Sequence, residues 1–192
     1  FVATLSTDGN APTGFDSLQT CLDSVTADTE NYVKLYRDIE YDTTTYFTLK
    51  YSVTIDLNGH RLDNMLMFNR NNGKLALTGT KGSYVQQVNA YNRFTIDSKS
   101  SIEFGAIVIN AGTEFVISNG ADVTVDDLTV FQLFTDTGAA TSVTLATGMK
   151  IVSSLRYRLN NSSGTDSIML KDLLADNQAL QYDESGALVD LY

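Results

Sequence analysis

Short segments in which apolar and polar residues alternate recur along the chain: VKL from Val33, VTIDL from Val53, LAL from Leu75, FTI from Phe94, FVI from Phe115 and VTL from Val143. Successive starts lie 20, 22, 19, 21 and 28 residues apart. A period of two turns one set of side chains inward and the other to water, which marks each segment as a half-buried strand. Two further series keep the same spacing. One holds Ile102 and Phe104, Val123 and Val125, and Met149 and Ile151; the other holds Phe47 and Leu49, Leu66 and Phe68, Ile107 and Ile109, and Leu128 and Val130. A hairpin would place an antiparallel partner only a few residues away. Three series at one period instead place each strand over its equivalent one coil later. The pattern predicts an all-β solenoid, a parallel β-helix of roughly six coils stacked about 4.8 Å apart.

The residues between the segments suit tight corners. Asn58-Gly59, Asn72-Gly73, Asn110-Ala111-Gly112, Asn119-Gly120 and Thr147-Gly148 are types that accept left-handed backbone at low cost. The one long step is read as a coil with an insertion in FTDTGAATS, residues 134–142. A solenoid end exposes unpaired strand edges and an open core, so each end needs a cap. In FDSLQTCLDSV, the residues Leu18, Cys21, Leu22 and Val25 fall on one helical face behind Asp16 or Ser17 as N-cap, which predicts a capping helix over 15–27. At the other end, Ile168, Leu170, Leu173 and Leu174 suggest a second helix or a short turn, and LQYDESGALV reads as a hairpin turning at Asp183 to Gly186. The expected organisation is one domain over 1–192, with coils over 30–160 and a C-terminal cap over 166–192.

Composition narrows the functional classes. The chain of 192 residues is 43% hydrophobic, carries 13 glycines, one proline and no tryptophan, and is rich in the β-branched and turn residues of an all-β domain. Its net charge of −10, with no run of Lys or Arg, argues against nucleic acid and anionic membrane surfaces as partners. No stretch of 18 apolar residues is present, so membrane insertion is not expected. A start at Phe1 is read as a module cut from a longer chain. The lone Cys21 rules out an internal disulfide, and on the apolar face of the capping helix it reads as a buried, inert thiol.

The order of a helix SLQTCLDSV, a strand YVKLYRDIEYD and then YFTLKYSVTIDLNGHRLDN resembles the right-handed parallel β-helix modules, pectin-lyase-like in fold, of large surface proteins from Gram-positive and gut bacteria. The family pattern runs sLqeALdaA, vtLlkDv and vtiDLNGhtl, and DLNGH at 56–60 is its most specific element here. The C-terminal LKDLLADNQALQYDESGALVDLY resembles the segment that closes such modules. The chain departs from the pattern at Cys21, where alanine is usual, and in VTADTENY, where a Gly-Asp turn is more common. The resemblance implies a right-handed β-helix in a mostly non-catalytic, extracellular role at the bacterial cell surface, as an adhesin or a spacer; the module is expected to be monomeric within a larger chain. It supplies no catalytic residues to transfer.

Candidate sites are weighed against this scaffold. In VTIDLNGHRLDN, Val53, Ile55 and Leu57 point inward, Asp56 outward, and Asn58-Gly59 make the corner, so every residue of DLNGH but His60 has a structural account. His60 as a catalytic base needs a partner within about 3 Å, which sequence does not reveal. The polygalacturonase-like order of Asn-Thr-Asp, Asp-Asp, Gly-His-Gly and Arg-Ile-Lys is absent: Gly59-His60 is followed by Arg61, and Asp126-Asp127 comes after the histidine. A polysaccharide-active enzyme is therefore the alternative rather than the main reading, and no cofactor is expected. Asp122, Asp126 and Asp127, with Asp136 nearby, could supply calcium ligands, but no EF-hand or nonapeptide repeat frames them. They read as a solvated acidic face. Residues 61–99 hold six Lys or Arg against two Asp, whereas 100–149 hold six acidic residues and no Lys or Arg, which predicts a basic band beside an acidic one along the stack. The bland reading of this charge pattern is solubility; the sharper one is a polar docking surface, to which outward tyrosines Tyr46, Tyr51, Tyr84 and Tyr91 would add stacking platforms for a host glycan or a surface or secreted protein.

Overall fold

Two strands that the twenty-residue period does not predict begin the fold. β1 (Ala3–Thr7) lies antiparallel between β2 (Thr13–Phe15) and β3 (Asn31–Leu35). Ala3 and Leu5 alternate inward, and the reversal follows Asp8 and Gly9, both in the left-handed region at φ 50° and 73°. The structure, a computed structural model, describes residues 1–41, 46–68, 73–110, 112–133, 142–144, 150–160, 180–182 and 188–191.

Beyond this ribbon the strands alternate between two parallel ladders. An eight-stranded sheet continues from β3 through β5 (Val53–Asp56), β7 (Lys74–Thr78), β9 (Arg93–Ile96), β11 (Glu114–Ile117) and β13 (Ser142–Thr144). A six-stranded sheet runs through β4 (Phe47–Leu49), β6 (Arg61–Phe68), β8 (Ser83–Ala90), β10 (Ser101–Ile109), β12 (Asp122–Leu133) and β14 (Lys150–Asn160). This is a parallel β-solenoid of about four turns. The sequence period counts roughly six because its first and last segments lie at the ends. Among the described residues, only the turns from β5–β6 to β11–β12 have a parallel neighbour on both sides in both sheets.

The apolar series stack in register. Val53, Leu75, Phe94 and Phe115 form one buried column, and Val33, Ile55, Leu77, Ile96 and Ile117 form the next. Val33 therefore aligns with Ile55 rather than with Val53, a slip of two residues that keeps the same face inward. Three apolar series produce only two sheets because two of them are halves of one bent strand. At the bend, two consecutive residues leave the core: Gln86 and Gln87, Gly105 and Ala106, Asp126 and Asp127. Gly105 has no alternative there, since a Cβ would lie 2.6 Å from the Gln86 carbonyl oxygen and 2.9 Å from the Tyr84 hydroxyl. In the middle of the stack Phe94 lies face to face with Phe115, centroids 5.1 Å apart, and edge-on to Phe104 at 6.4 Å.

Corners stack as well as strands. The first is closed by His60 N–H donating to Leu57 O (2.8 Å), with φ of 52° at Asn58 and 82° at Gly59, and Asp56 accepts from the Asn58 N–H. Equivalent turns at Thr80–Ser83, Asp97–Ser100 and Ser118–Ala121 follow in the next three coils.

The capping helix α1 (Leu18–Asp23) is shorter than the expected 15–27. Ser17 is its N-cap, with backbone in the extended region and Oγ accepting from Thr20 N–H, and Ser24 ends it. Leu18, Cys21 and Leu22 are buried on the open end of the core. The Gln19 side chain reaches the edge of the six-stranded sheet: Oε1 accepts from Thr48 N–H (3.2 Å) and Nε2 donates to Thr48 O (3.5 Å). At the C-terminal end β15 (Leu180–Tyr182) pairs antiparallel with β16 (Leu188–Leu191), and the turn expected at Asp183 to Gly186 lies outside the described residues. The second helix and the 134–142 insertion lie outside the described residues, apart from Ser142, the first residue of β13.

Burial pushes the Cys21 thiol up to about 12. A thiol reagent should leave the native protein unmodified at neutral pH and titrate one thiol after denaturation. Rapid reaction of the native protein would mean that α1 does not cover the core.

Candidate functional site

The outer face of the eight-stranded sheet carries a concave surface that runs across several coils. Tyr32, Thr54, Ala76 and Thr95 follow one another across β3, β5, β7 and β9 in direct register. Three small side chains after a tyrosine leave a trough, with Lys74 and Arg93, also in register, as its wall. The trough encloses about 520 Å³ and adjoins a second hollow of about 740 Å³, with Thr29, Glu30 and Ser52 common to both. Residues of Asp8, Asp28, Lys50 and Tyr51 line the second hollow. Since coils rise about 4.8 Å each, the trough spans on the order of 15 Å along the stack.

Charge is ordered along this surface. Acidic Asp8, Asp28 and Glu30 sit at the capped end, and cationic Lys74 and Arg93 lie further along. Arg93 Nε approaches Glu114 Oε2 at 3.4 Å, where the basic coils meet the acidic ones. At the head of the trough the Tyr32 hydroxyl donates to Asp56 Oδ2 (2.9 Å), which also pairs with Lys34 Nζ (3.3 Å). Partial burial and the Asp56 carboxylate push the Tyr32 phenol up to about 12, so it stays a neutral donor at physiological pH. Tyr32 as a whole remains 41% exposed. In the second hollow, Lys50 Nζ pairs with Asp23 Oδ1 at 2.9 Å and holds that carboxyl below the usual carboxylate range.

The four tyrosines expected as platforms do not share one surface. Tyr51 lies in the larger hollow, exposed. Tyr46 is exposed just before β4, at the edge of the other sheet. Tyr84 is outward on β8, but the Arg61 guanidinium lies 4.0 Å over its ring and its hydroxyl donates to Gln86 Oε1 (2.7 Å). One face is thus already taken. Tyr91 is half-buried and packs against the core. Tyr32, Lys74 and Arg93 were not among the expected site residues. The signal for Tyr32 is the alternation of YVKLY, which sends Tyr32, Lys34 and Tyr36 outward on either side of buried Val33 and Leu35.

His60 does have a partner. Its Nδ1 lies 3.0 Å from Asp38 Oδ1, and the same oxygen accepts from Arg61 N–H (3.0 Å). The Arg61 N–H and then His60 hold the Asp38 carboxyl below its ordinary range. Beside this pair Ile39 bridges to Leu62, so Asp38 pins the connection after β3 onto the next coil. Neither hollow includes His60. Among the described residues no three His, Cys, Asp or Glu converge as metal ligands. Asp122 Oδ2 accepts from Ser101 Oγ (3.1 Å), and Asp126 and Asp127 both face outward at the β12 bend. Asp136 lies outside the described residues.

No protein-family model matches the chain, and no match is found among curated proteins or solved structures. The assignment as a parallel β-solenoid rests on the strand register. No helix among the described residues is long and apolar enough to cross a membrane.

Proposed function

We propose that the chain is a non-catalytic binding module that holds an extended glycan or protein segment along the outer trough of the eight-stranded sheet. One observation carries this reading: Tyr32, the Thr54–Ala76–Thr95 floor and the Lys74–Arg93 wall are aligned across successive coils. A rigid row of this kind offers an aromatic face and hydrogen-bond donors at fixed spacing, so the ligand alone is ordered on binding. The resemblance of DLNGH and its flanking segments supports placing the module in a pectin-lyase-like surface protein of a bacterium, outside the cell. A spacer would need the rigid stack but no aligned trough.

A glycan array and a pull-down with host proteins test the proposal. Tyr32→Ala and Tyr51→Ala should each weaken a hit by about 1–3 kcal/mol, as expected of aromatic anchors, while Tyr84→Ala on the other sheet should leave it unchanged. Absence of any ligand, or a hit indifferent to both substitutions, favours the spacer.

The Asp38–His60 pair supports a second reading, polysaccharide cleavage with His60 as base. Turnover of pectin or mucin that is abolished by His60→Ala would establish it. Binding without turnover would dismiss it.

A further inference from the structure

Three Asn-Gly pairs occur in the chain: Asn58-Gly59, Asn72-Gly73 and Asn119-Gly120. The corner of the solenoid treats the first and third differently. At the first, Gly59 N–H donates to the Oγ of buried Ser83 (3.0 Å), and Asn58 Nδ2 donates to Leu35 O (3.0 Å). Both groups are thus held by neighbouring coils. At the third, Asn119 and Gly120 are exposed, Gly120 has φ 95°, and among the described residues the turn is closed by Ala121 N–H donating to Ser118 O (3.1 Å) alone. Neither the Asn119 carboxamide nor the Gly120 N–H has a partner among the described residues. Asn72 lies outside them.

We propose that Asn119 is a site of spontaneous deamidation, while the solenoid protects Asn58. The Gly120 backbone nitrogen attacks the Asn119 Cγ. The new N–Cγ bond forms as the Cγ–Nδ2 bond breaks, and the Gly120 N–H proton passes through water to Nδ2, which leaves as ammonia and gives a five-membered succinimide. Water then adds to one of the two ring carbonyls and opens it to aspartate or isoaspartate. Only water is consumed and nothing is oxidised or reduced. Glycine favours the step because no side chain shields its nitrogen and its backbone turns freely. At Asn58 the same attack needs Gly59 N–H to leave Ser83 and the carboxamide to leave Leu35. The loss of two net hydrogen bonds corresponds to a rate difference on the order of tenfold or more.

The product alters a particular place. It adds a carboxylate beside Asp122, within the acidic coils. Isoaspartate also inserts a methylene into the turn, where Gly120 already lies so close to the preceding coil that a Cβ would meet Ser98 O at 3.1 Å.

The test is to age the folded full chain in mildly alkaline buffer and map it with trypsin. Cleavage after Lys50, Arg61, Lys99 and Lys150 places Asn58 and Asn119 on separate peptides. The Asn119 peptide should convert on the order of tenfold faster than the Asn58 peptide, and Asn119→Gln should remove the new acidic species seen by isoelectric focusing. In denaturant both peptides should convert at similar rates. Ser83→Ala, where it folds, should speed conversion at Asn58 alone. Equal rates at the two sites in the folded chain would overturn the proposal, as would an Asn119 that stays intact while the unfolded chain reacts.

Discussion

Replacing Ile55 by aspartate should leave little or no soluble folded protein. Ile55 is fully buried between Val33 and Leu77 in the column that β3, β5 and β7 build. A carboxylate there meets only apolar neighbours, at a cost of several kcal/mol. That loss is comparable to the whole stability of an ordinary domain, about 5–15 kcal/mol. Ile117→Asp, buried in the same column three coils on, should behave alike. Thr54→Asp, one residue away on the outward face, should fold. Soluble yield and far-UV circular dichroism separate the outcomes. If either core variant folds with an unchanged melting temperature, the inward face has been assigned wrongly.

Phe94→Ala should cost about 3–5 kcal/mol. The ring is fully buried and touches two others, Phe115 below it and Phe104 across the core from the opposite sheet. Truncation therefore opens a void between close-packed rings, and it forfeits aromatic contacts worth about 0.5–1.5 kcal/mol beyond burial. Each coil contacts mainly its neighbours, so a gap in a middle coil weakens the coupling between the two halves of the stack. Urea unfolding should show a lower midpoint, with a broader or two-step transition where the coupling is lost. A destabilisation below about 1 kcal/mol would show that the aromatic contact is not what joins these coils.

The coil repeat could be read in the sequence because a strand's period of two and the repeat's period near twenty reinforce each other: Phe94, Phe115 and Val143 stack as spaced. What was harder to read has identifiable causes. β1 pairs antiparallel and belongs to no repeat, so a search for parallel equivalents passes over Ala3 and Leu5 although they alternate correctly. The bend at Gly105 joins two apolar series into one strand, and only the close approach of Gln86 O shows why that position lacks a side chain. The site was less legible than the fold. Alternation tells which tyrosines face outward, but not that Arg61 covers Tyr84 or that Tyr91 folds back on the core. Nor does it show that the residues opposite Thr54 in the next two coils are small, which creates the trough beside Tyr32. The Asp38–His60 contact joins residues 22 apart, one coil, a distance that no local motif spans.

The contact between Gln19 and Thr48 bears on how such a stack avoids growing. An exposed edge strand is a template on which another chain can add by backbone pairing, the first step toward a fibre. In β4 it is Thr48 that turns its N–H and C=O away from β6, and one carboxamide satisfies both. A side-chain amide has the donor and acceptor of a peptide unit but no chain to carry the ladder further. It therefore acts as a chain terminator for hydrogen bonding, ending the six-stranded sheet at this edge without offering the next molecule a place to begin.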